Sequence, residues 1–242
     1  MRYGTMTGME IGLIKVYEVE EELRAAHGGY PEMFARLLRD GGLDARWRVY
    51  DARAGELPQT PRECGGYLIS GSKHAVYEDH EWLPPLLDFI RKLRDARAPR
   101  LAGICFGHQA VAHSLGGRAE KSAKGWGAGR QTWKMCGDAE WLRPRLSEFS
   151  LLASHQDQVA ELPPGAALLA ASEFCPNAMF AVGGQFFCMQ GHPEFSPAFC
   201  DAILEGRRDK MPSDVWRRAK ESAPRANDRD ICAKWLADFF NA

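Results

Sequence analysis

Pro99-Arg100-Leu101-Ala102-Gly103-Ile104-Cys105-Phe106-Gly107-His108-Gln109 runs from a short apolar segment, through a cysteine framed by glycines, into a helical pattern. The segment ending at Ile104 has the length and composition of a buried strand. From His108, the residues Ala110, Val111, His113, Ser114 and Leu115 continue as a helix that stops at Gly116-Gly117. A G-x-C-x-G between strand and helix is a tight elbow. It pushes the cysteine out of the sheet, while small flanking residues let the backbone fold back beneath it. The helix that follows aims the positive end of its dipole at the sulfur and favours the thiolate. The Phe106 amide is then free to bond an oxyanion.

Outward from this elbow, short apolar runs alternate with helical patterns, which predicts an α/β fold with a mostly parallel sheet flanked by helices. Upstream, Ile11–Val16, Trp47–Tyr50 and Gly65–Ile69 read as strands. Tyr30–Arg39 reads as a helix with Met33, Phe34, Leu37 and Leu38 on one face, and Trp82 to about Arg97 as another. Downstream, from Arg118 to Phe187, the texture changes to a small antiparallel β extension: Trp126–Met135, Ser150–Ala153, Ala167–Ala171, Ala178–Val182 and Gln185–Gln190, with a hairpin signal at Gly183-Gly184. Ser196–Ala242 reads as helical, and its charge-rich stretch Arg207–Asp230 as solvated helix face or loop. Trp126, Trp133 and Trp141 are expected to fill core.

Composition limits the partners. Lys plus Arg total 31 against 32 for Asp plus Glu, a net charge of −1, so there is no bulk attraction to nucleic acid or anionic membrane. The least polar long stretch, Phe174–Gly191, contains Pro176, Asn177, Gln185 and Gln190 and does not suit a spanning helix. Met1–Thr5 and the short run behind them do not resemble a signal peptide. Seven scattered cysteines without a CxxC pair fit a reduced, cytoplasmic chain and no zinc framework. His27, His80 and His113 show no convincing ligand spacing, so no metal site is expected.

The second chemical motif is Gly191-His192-Pro193-Glu194, directly after the run Phe186–Gln190. Pro193 biases His192 toward extended backbone, so His192 and Glu194, two apart, project to the same side. A carboxylate that orients an imidazole is the arrangement that activates a thiol and later protonates a leaving amine.

With both motifs in place, the chain resembles the class I (Triad) glutamine amidotransferases. Gly103–Gln109 is similar to that family's nucleophile motif and Gln190–Phe195 to its His-Pro-Glu motif. Leu68-Ile69-Ser70-Gly71-Ser72 resembles its oxyanion loop, and Ser154-His155-Gln156-Asp157-Gln158-Val159 the Ser-His-Gly-Asp-x-Val segment of GMP synthetase amidotransferase domains. The Ser-His-Gln-Asp form, with Cys175-Pro176-Asn177, is similar to stand-alone GMP-synthetase-like amidotransferases. The resemblance spans about residues 11–205 of one domain over 1–242, with a C-terminal helical segment from about 206. It implies a flavodoxin-like core.

By that resemblance Cys105, His192 and Glu194 would be catalytic, and the Gly71 and Phe106 amides would form the oxyanion hole. Gln109, Ser154, His155, Gln156 and Asp157 would contact the amino-acid end of glutamine or another γ-glutamyl small molecule. Gln156 stands where glycine is usual, which reshapes the pocket. No cofactor or metal is implied. There is no Walker motif, so the released nitrogen would pass to a synthetase or acceptor-enzyme subunit, or the chain would act as a free-standing γ-glutamyl peptidase or amide hydrolase. A non-enzymatic, regulatory amidotransferase-like subunit is the alternative of a different kind. Hydrolases of the dienelactone type share the cysteine elbow but place the acid before the histidine, the reverse of the order here.

Overall fold

The computed structural model describes residues 8–97 and 99–242; the Met1–Thr5 segment lies outside the described residues. In chain order the elements are β1 (Glu10–Lys15), α1 (Glu21–His27), α2 (Tyr30–Asp40), β2 (Arg46–Asp51), β3 (Gly66–Ile69), α3 (Leu83–Ala96), β4 (Arg100–Ile104) and α4 (Phe106–Ser114). There follow β5 (Arg118–Lys121), β6 (Gly127–Met135), β7 (Glu148–His155), β8 (Asp157–Glu161), β9 (Ala166–Ala171), β10 (Met179–Val182) and β11 (Phe186–Met189). Helices α5 (Pro197–Glu205), α6 (Ser213–Ser222) and α7 (Arg229–Asn241) complete the chain. Among the described residues, no helix is long and apolar enough to cross a membrane.

Nine strands form one mixed sheet in the order β2-β1-β3-β4-β11-β10-β9-β6-β7. The first five run parallel, and the joins from β11 through β10, β9 and β6 to β7 are antiparallel. The expected α/β class with an antiparallel portion holds, but that portion continues the main sheet and supplies four of its nine strands. Phe186–Met189, expected among the antiparallel strands, pairs parallel with β4 on one side and antiparallel with β10 on the other. The pair β5-β8 makes a separate two-stranded ribbon.

Alternation along the central strands feeds two cores. Ile11 and Leu13 pack with Phe34 and Leu37 of α2 and with Trp235 and Leu236 of α7. Ile14 and Val16 join Leu86 and Ile90 of α3 and Val111 of α4 on the other face. Helix α2 starts where Glu32 accepts the Gly29 N–H at 2.8 Å and Pro31 occupies the first turn. It stops at Gly41-Gly42, where Gly42 takes a φ of 96°.

The elbow after β4 depends on its glycines. A Cβ at Gly103 would lie 2.6 Å from the Gly107 carbonyl oxygen, and one at Gly107 would lie 2.5 Å from the Ile69 carbonyl oxygen. Helix α4 therefore begins at Phe106, two residues earlier than the apolar pattern suggests, and rests directly on β3 and β4. Gly107→Ala is expected to destabilise the protein by at least about 1–3 kcal/mol, since backbone rather than a flexible side chain must move. Urea unfolding would show this, and an unchanged midpoint would contradict the packing beneath the elbow.

Candidate functional site

In an open α/β sheet, ligands gather outside the carboxyl ends of parallel strands. Three adjacent strands, β3, β4 and β11, end in register here, with Ile69 opposite Gly103 and Met189 opposite Ile104. The segments that leave these ends carry Gly71, Cys105 and His192. Residues far apart in sequence thus meet because neighbouring strands stop at one level.

Cys105 is the residue between β4 and α4 and has φ 52°, ψ −99°. For a side chain with a Cβ this left-handed conformation costs on the order of 1–3 kcal/mol, which the surrounding packing sustains. Its N–H donates to the Met189 carbonyl at 2.9 Å and its carbonyl accepts the Gln109 N–H at 3.1 Å. Phe106 opens α4, so its N–H has no acceptor within the helix.

His192 and Glu194 meet as the Pro193 spacing predicts. His192 Nδ1 lies 2.7 Å from Glu194 Oε1, and both groups are buried. The imidazole stacks on Phe195 with a centroid separation of 3.9 Å and an interplanar angle of 9°. The His192 N–H donates to the Leu152 carbonyl at 2.8 Å, which ties the motif to β7. Burial alone would lower the His192 pKa, but the Glu194 and Cys105 charges outweigh it and push it up to about 10. Gly71 closes the group. A Cβ there would stand 2.7 Å from His192 Cε1 and 3.6 Å from Cys105 Cβ, so only hydrogen fits beside the imidazole.

A cavity of about 390 Å³ opens over Cys105, and Gln109, Ser154, His155, Gln156 and Asp157 all line it. Gln109 Nε2 donates to the Asp157 carbonyl at 2.9 Å and to Gln190 Oε1 at 3.1 Å. Arg207 donates to Ser154 Oγ at 2.7 Å and to its carbonyl at 2.6 Å. His155 approaches the Asp157 carbonyl through Nδ1 at 3.0 Å, and burial pushes its pKa down to about 4. Tyr77 donates its hydroxyl to Asp157 Oδ1. The bend at Gln156, between β7 and β8, turns this segment over the elbow. A larger hollow of about 620 Å³ lies at the opposite, amino ends of the same strands, beside Gly65, Arg100 and Gln185. It is remote from these groups.

Several site residues were not expected from sequence. Gln190 donates to Cys105 Sγ at 3.5 Å. The hydroxyl of buried Tyr30 lies 3.2 Å from where a Gly71 Cβ would be; burial first, then the charges of Glu194 and Cys105, hold its pKa well above the usual phenol range. Lys73 and Lys210 line the cavity with Arg207, so the charged run from Arg207 is in part a cavity wall rather than only a solvated face. Trp126 is corrected in part: half-buried, it packs against the core but also lines the cavity, held by its Nε1 donating to the Lys210 carbonyl at 3.1 Å and by the Arg207 guanidinium 5.6 Å from its ring. Trp133 and Trp141 are buried as expected. His74, Glu78 and His80, whose spacing in the chain offers no reason to group them, converge beside the cavity that His74 lines.

Comparison with known proteins shows the family and the fold. A model of the family described as glutamine amidotransferase class-I matches residues 25–203. The chain is 35% identical over 193 residues to gamma-glutamyl peptidase 3 of Arabidopsis thaliana, covering 76% of each. It is 30% identical over 165 residues to the glutamine-hydrolysing GMP synthase of Porphyromonas gingivalis, covering 67% of this chain and 30% of that protein. In structure it superposes on a glutamine amidotransferase of Thermotoga maritima with a TM-score of 0.76 at 20% identity, covering 96% of this chain and 99% of the other. The matched span contains every residue of the Gly71, Cys105, His192 and Glu194 constellation, and the chain belongs to the class I glutamine amidotransferases, the Triad type of cysteine-nucleophile amidohydrolase.

Proposed function

We propose that the protein hydrolyses γ-glutamyl amide bonds through a thioester on Cys105, with a leaving group larger than ammonia. The observation that carries this reading is the convergence of Gly71, Cys105, His192 and Glu194 at the ends of three adjacent strands. The Cys105 sulfur, paired with the protonated His192, attacks the γ-carbonyl while the Gly71 and Phe106 amides receive the oxyanion. As the intermediate collapses the C–N bond breaks, and the nitrogen leaves with the proton from His192. Water, deprotonated by the now neutral imidazole, then attacks the thioester; glutamate departs and the proton stays on His192 beside the freed sulfur. Glu194 holds the ring throughout, and Gln190 positions the thiol.

The amino-acid end of the substrate lies against Gln109 and Ser154–Asp157. Beyond it a second hollow of about 400 Å³ shares Lys73, Arg207 and Lys210 with the first. A leaving ammonia needs no second hollow. A leaving amino acid or peptide occupies it and sets its carboxylate against the shared cations. The likeness to gamma-glutamyl peptidase 3 points the same way. All seven cysteines are free, which suits a reducing, cytoplasmic setting for thiol chemistry.

The likeness to a GMP synthase favours a second reading, in which the nitrogen passes to a partner synthetase or acceptor enzyme. Glutamate release measured from glutamine, γ-glutamyl methylamide, a γ-glutamyl polyamine and a γ-glutamyl tripeptide separates the two. The expected result is a kcat/KM for the tripeptide at least about 10-fold above that for glutamine. Turnover of glutamine alone, and only with a co-purifying protein, would establish the second reading instead.

A further inference from the structure

The segment between the Gly71 loop and α3 carries three ligand-type side chains that the chemistry above does not use. His74 Nδ1 lies 3.1 Å from Glu78 Oε2, His80 Nε2 lies 2.8 Å from the same oxygen, and the two ring nitrogens are 3.0 Å apart. The three atoms form a nearly equilateral triangle with edges of about 3 Å. A cation placed above its centre sits about 2.0–2.2 Å from each corner, the range of Zn–N and Zn–O bonds. Two ring nitrogens at that separation cannot both direct a proton at one another, so at least one turns a lone pair inward.

The rings are held in place before any ion arrives. His80 stacks on Trp82 at 5.5 Å and 16°, and His74 meets the same indole edge-on at 5.9 Å. Trp82 rests on Phe106, the first residue of α4, at 5.8 Å. The main chain is anchored as well, by the His74 N–H donating to Ser72 Oγ at 3.1 Å and the Leu83 N–H donating to the His80 carbonyl at 3.0 Å. The three side chains are 20%, 42% and 31% exposed, for His74, Glu78 and His80, which leaves a path from solvent and a fourth coordination position for water. Two imidazoles and one carboxylate suit zinc-class ions, whereas Mg²⁺ and Ca²⁺ take all-oxygen sets.

We propose that His74, Glu78 and His80 bind one divalent zinc-class ion, which clamps the 74–80 segment against the cavity wall that His74 shares with Cys105. The ion takes no part in the amide chemistry; it fixes the wall next to the elbow through Trp82 and Phe106. This site stands on its own geometry and does not depend on the substrate assigned above.

Full-length protein without a histidine tag, stripped by a chelator, is titrated with Zn²⁺ and with Co²⁺, and bound metal is counted after dialysis. One ion per chain is expected. His80→Ala and Glu78→Gln should weaken binding at least about 100-fold, more than loss of a group that merely supports a ligand. Cys105→Ala should keep the ion, and bound Co²⁺ should show no thiolate charge-transfer band. Hydrogen exchange across residues 72–82 should slow when Zn²⁺ is added, and this measurement needs no variant. No stoichiometric binding, unaltered exchange, or binding lost in Cys105→Ala but kept in Glu78→Gln would each overturn the assignment.

Discussion

Cys105→Ala is expected to lower kcat/KM for glutamate release by at least about 10⁴-fold on every γ-glutamyl substrate, with no loss of fold. The magnitude follows from chemistry. Without sulfur no thioester forms, and what remains is the oxyanion site and substrate binding acting on water. Persistence of the fold follows from the backbone. Cys105 holds φ 52° because Gly103 and Gly107 clamp the chain on either side, and alanine keeps the same Cβ in the same conformation. The variant's unfolding free energy from urea titration should stay within about 0.5 kcal/mol of the parent, as the strain is neither relieved nor increased. A glutamine analogue bearing an electrophilic diazoketone should label the parent once per chain and the variant not at all. The other six cysteines are not aligned with the elbow, and burial pushes the Cys175 and Cys200 thiols up to about 12. Glutamate release above about 1% of the parent rate, or labelling that survives the substitution, would remove Cys105 from the mechanism.

Much of this arrangement is legible in the chain because the decisive features are local. Strands β1, β3 and β4 are apolar runs with turn chemistry at their ends, and the glycines of the elbow stand two residues on either side of the cysteine they frame. Pro193 likewise places His192 and Glu194 on one side by short-range sterics. What escaped the sequence lacks such a signature. Helix α1 has no buried residue, so it offers no apolar stripe to read. Strand β5, Arg-Ala-Glu-Lys, buries only Ala119, and its partner β8 starts one residue after the bend at Gln156. Arg207 sits in a charge run whose neighbours are solvated, and only the packing of α5 beside β7 brings it to Ser154. Trp126 reads like Trp133, a tryptophan in the same strand region, yet one borders the cavity and the other is core. His74, Glu78 and His80 lie in a segment without helix or strand, where spacings of four and two fix no geometry until the turn is folded.

Glu194→Gln should have the second large effect, and its pH dependence distinguishes orientation from charge. The Glu194 side chain is fully buried, with Oε1 committed to His192. Burial by itself disfavours the imidazolium; the Glu194 charge, then that of Cys105, reverses the balance and raises the His192 pKa from 6.5 to about 10. A raised folded-state value means that the protonated ring stabilises the fold. That contribution is fully present below about pH 6.5 and is lost as pH climbs through about 10. Glutamine keeps the shape and an oxygen for the Nδ1–H but removes the charge. The imidazole is then left with desolvation opposed only by Cys105, and its pKa falls. The alkaline limb of kcat/KM, near pH 10 in the parent, should move down by at least about 1 unit, and kcat/KM at neutral pH should drop by about 10²–10⁴-fold. The stability difference between parent and variant should likewise be largest below about pH 6.5 and shrink toward pH 10, which denaturant titrations at both ends would resolve. A variant that loses rate while its alkaline limb stays in place would assign Glu194 to orientation alone, and the charge that holds the proton on His192 would have to come from elsewhere.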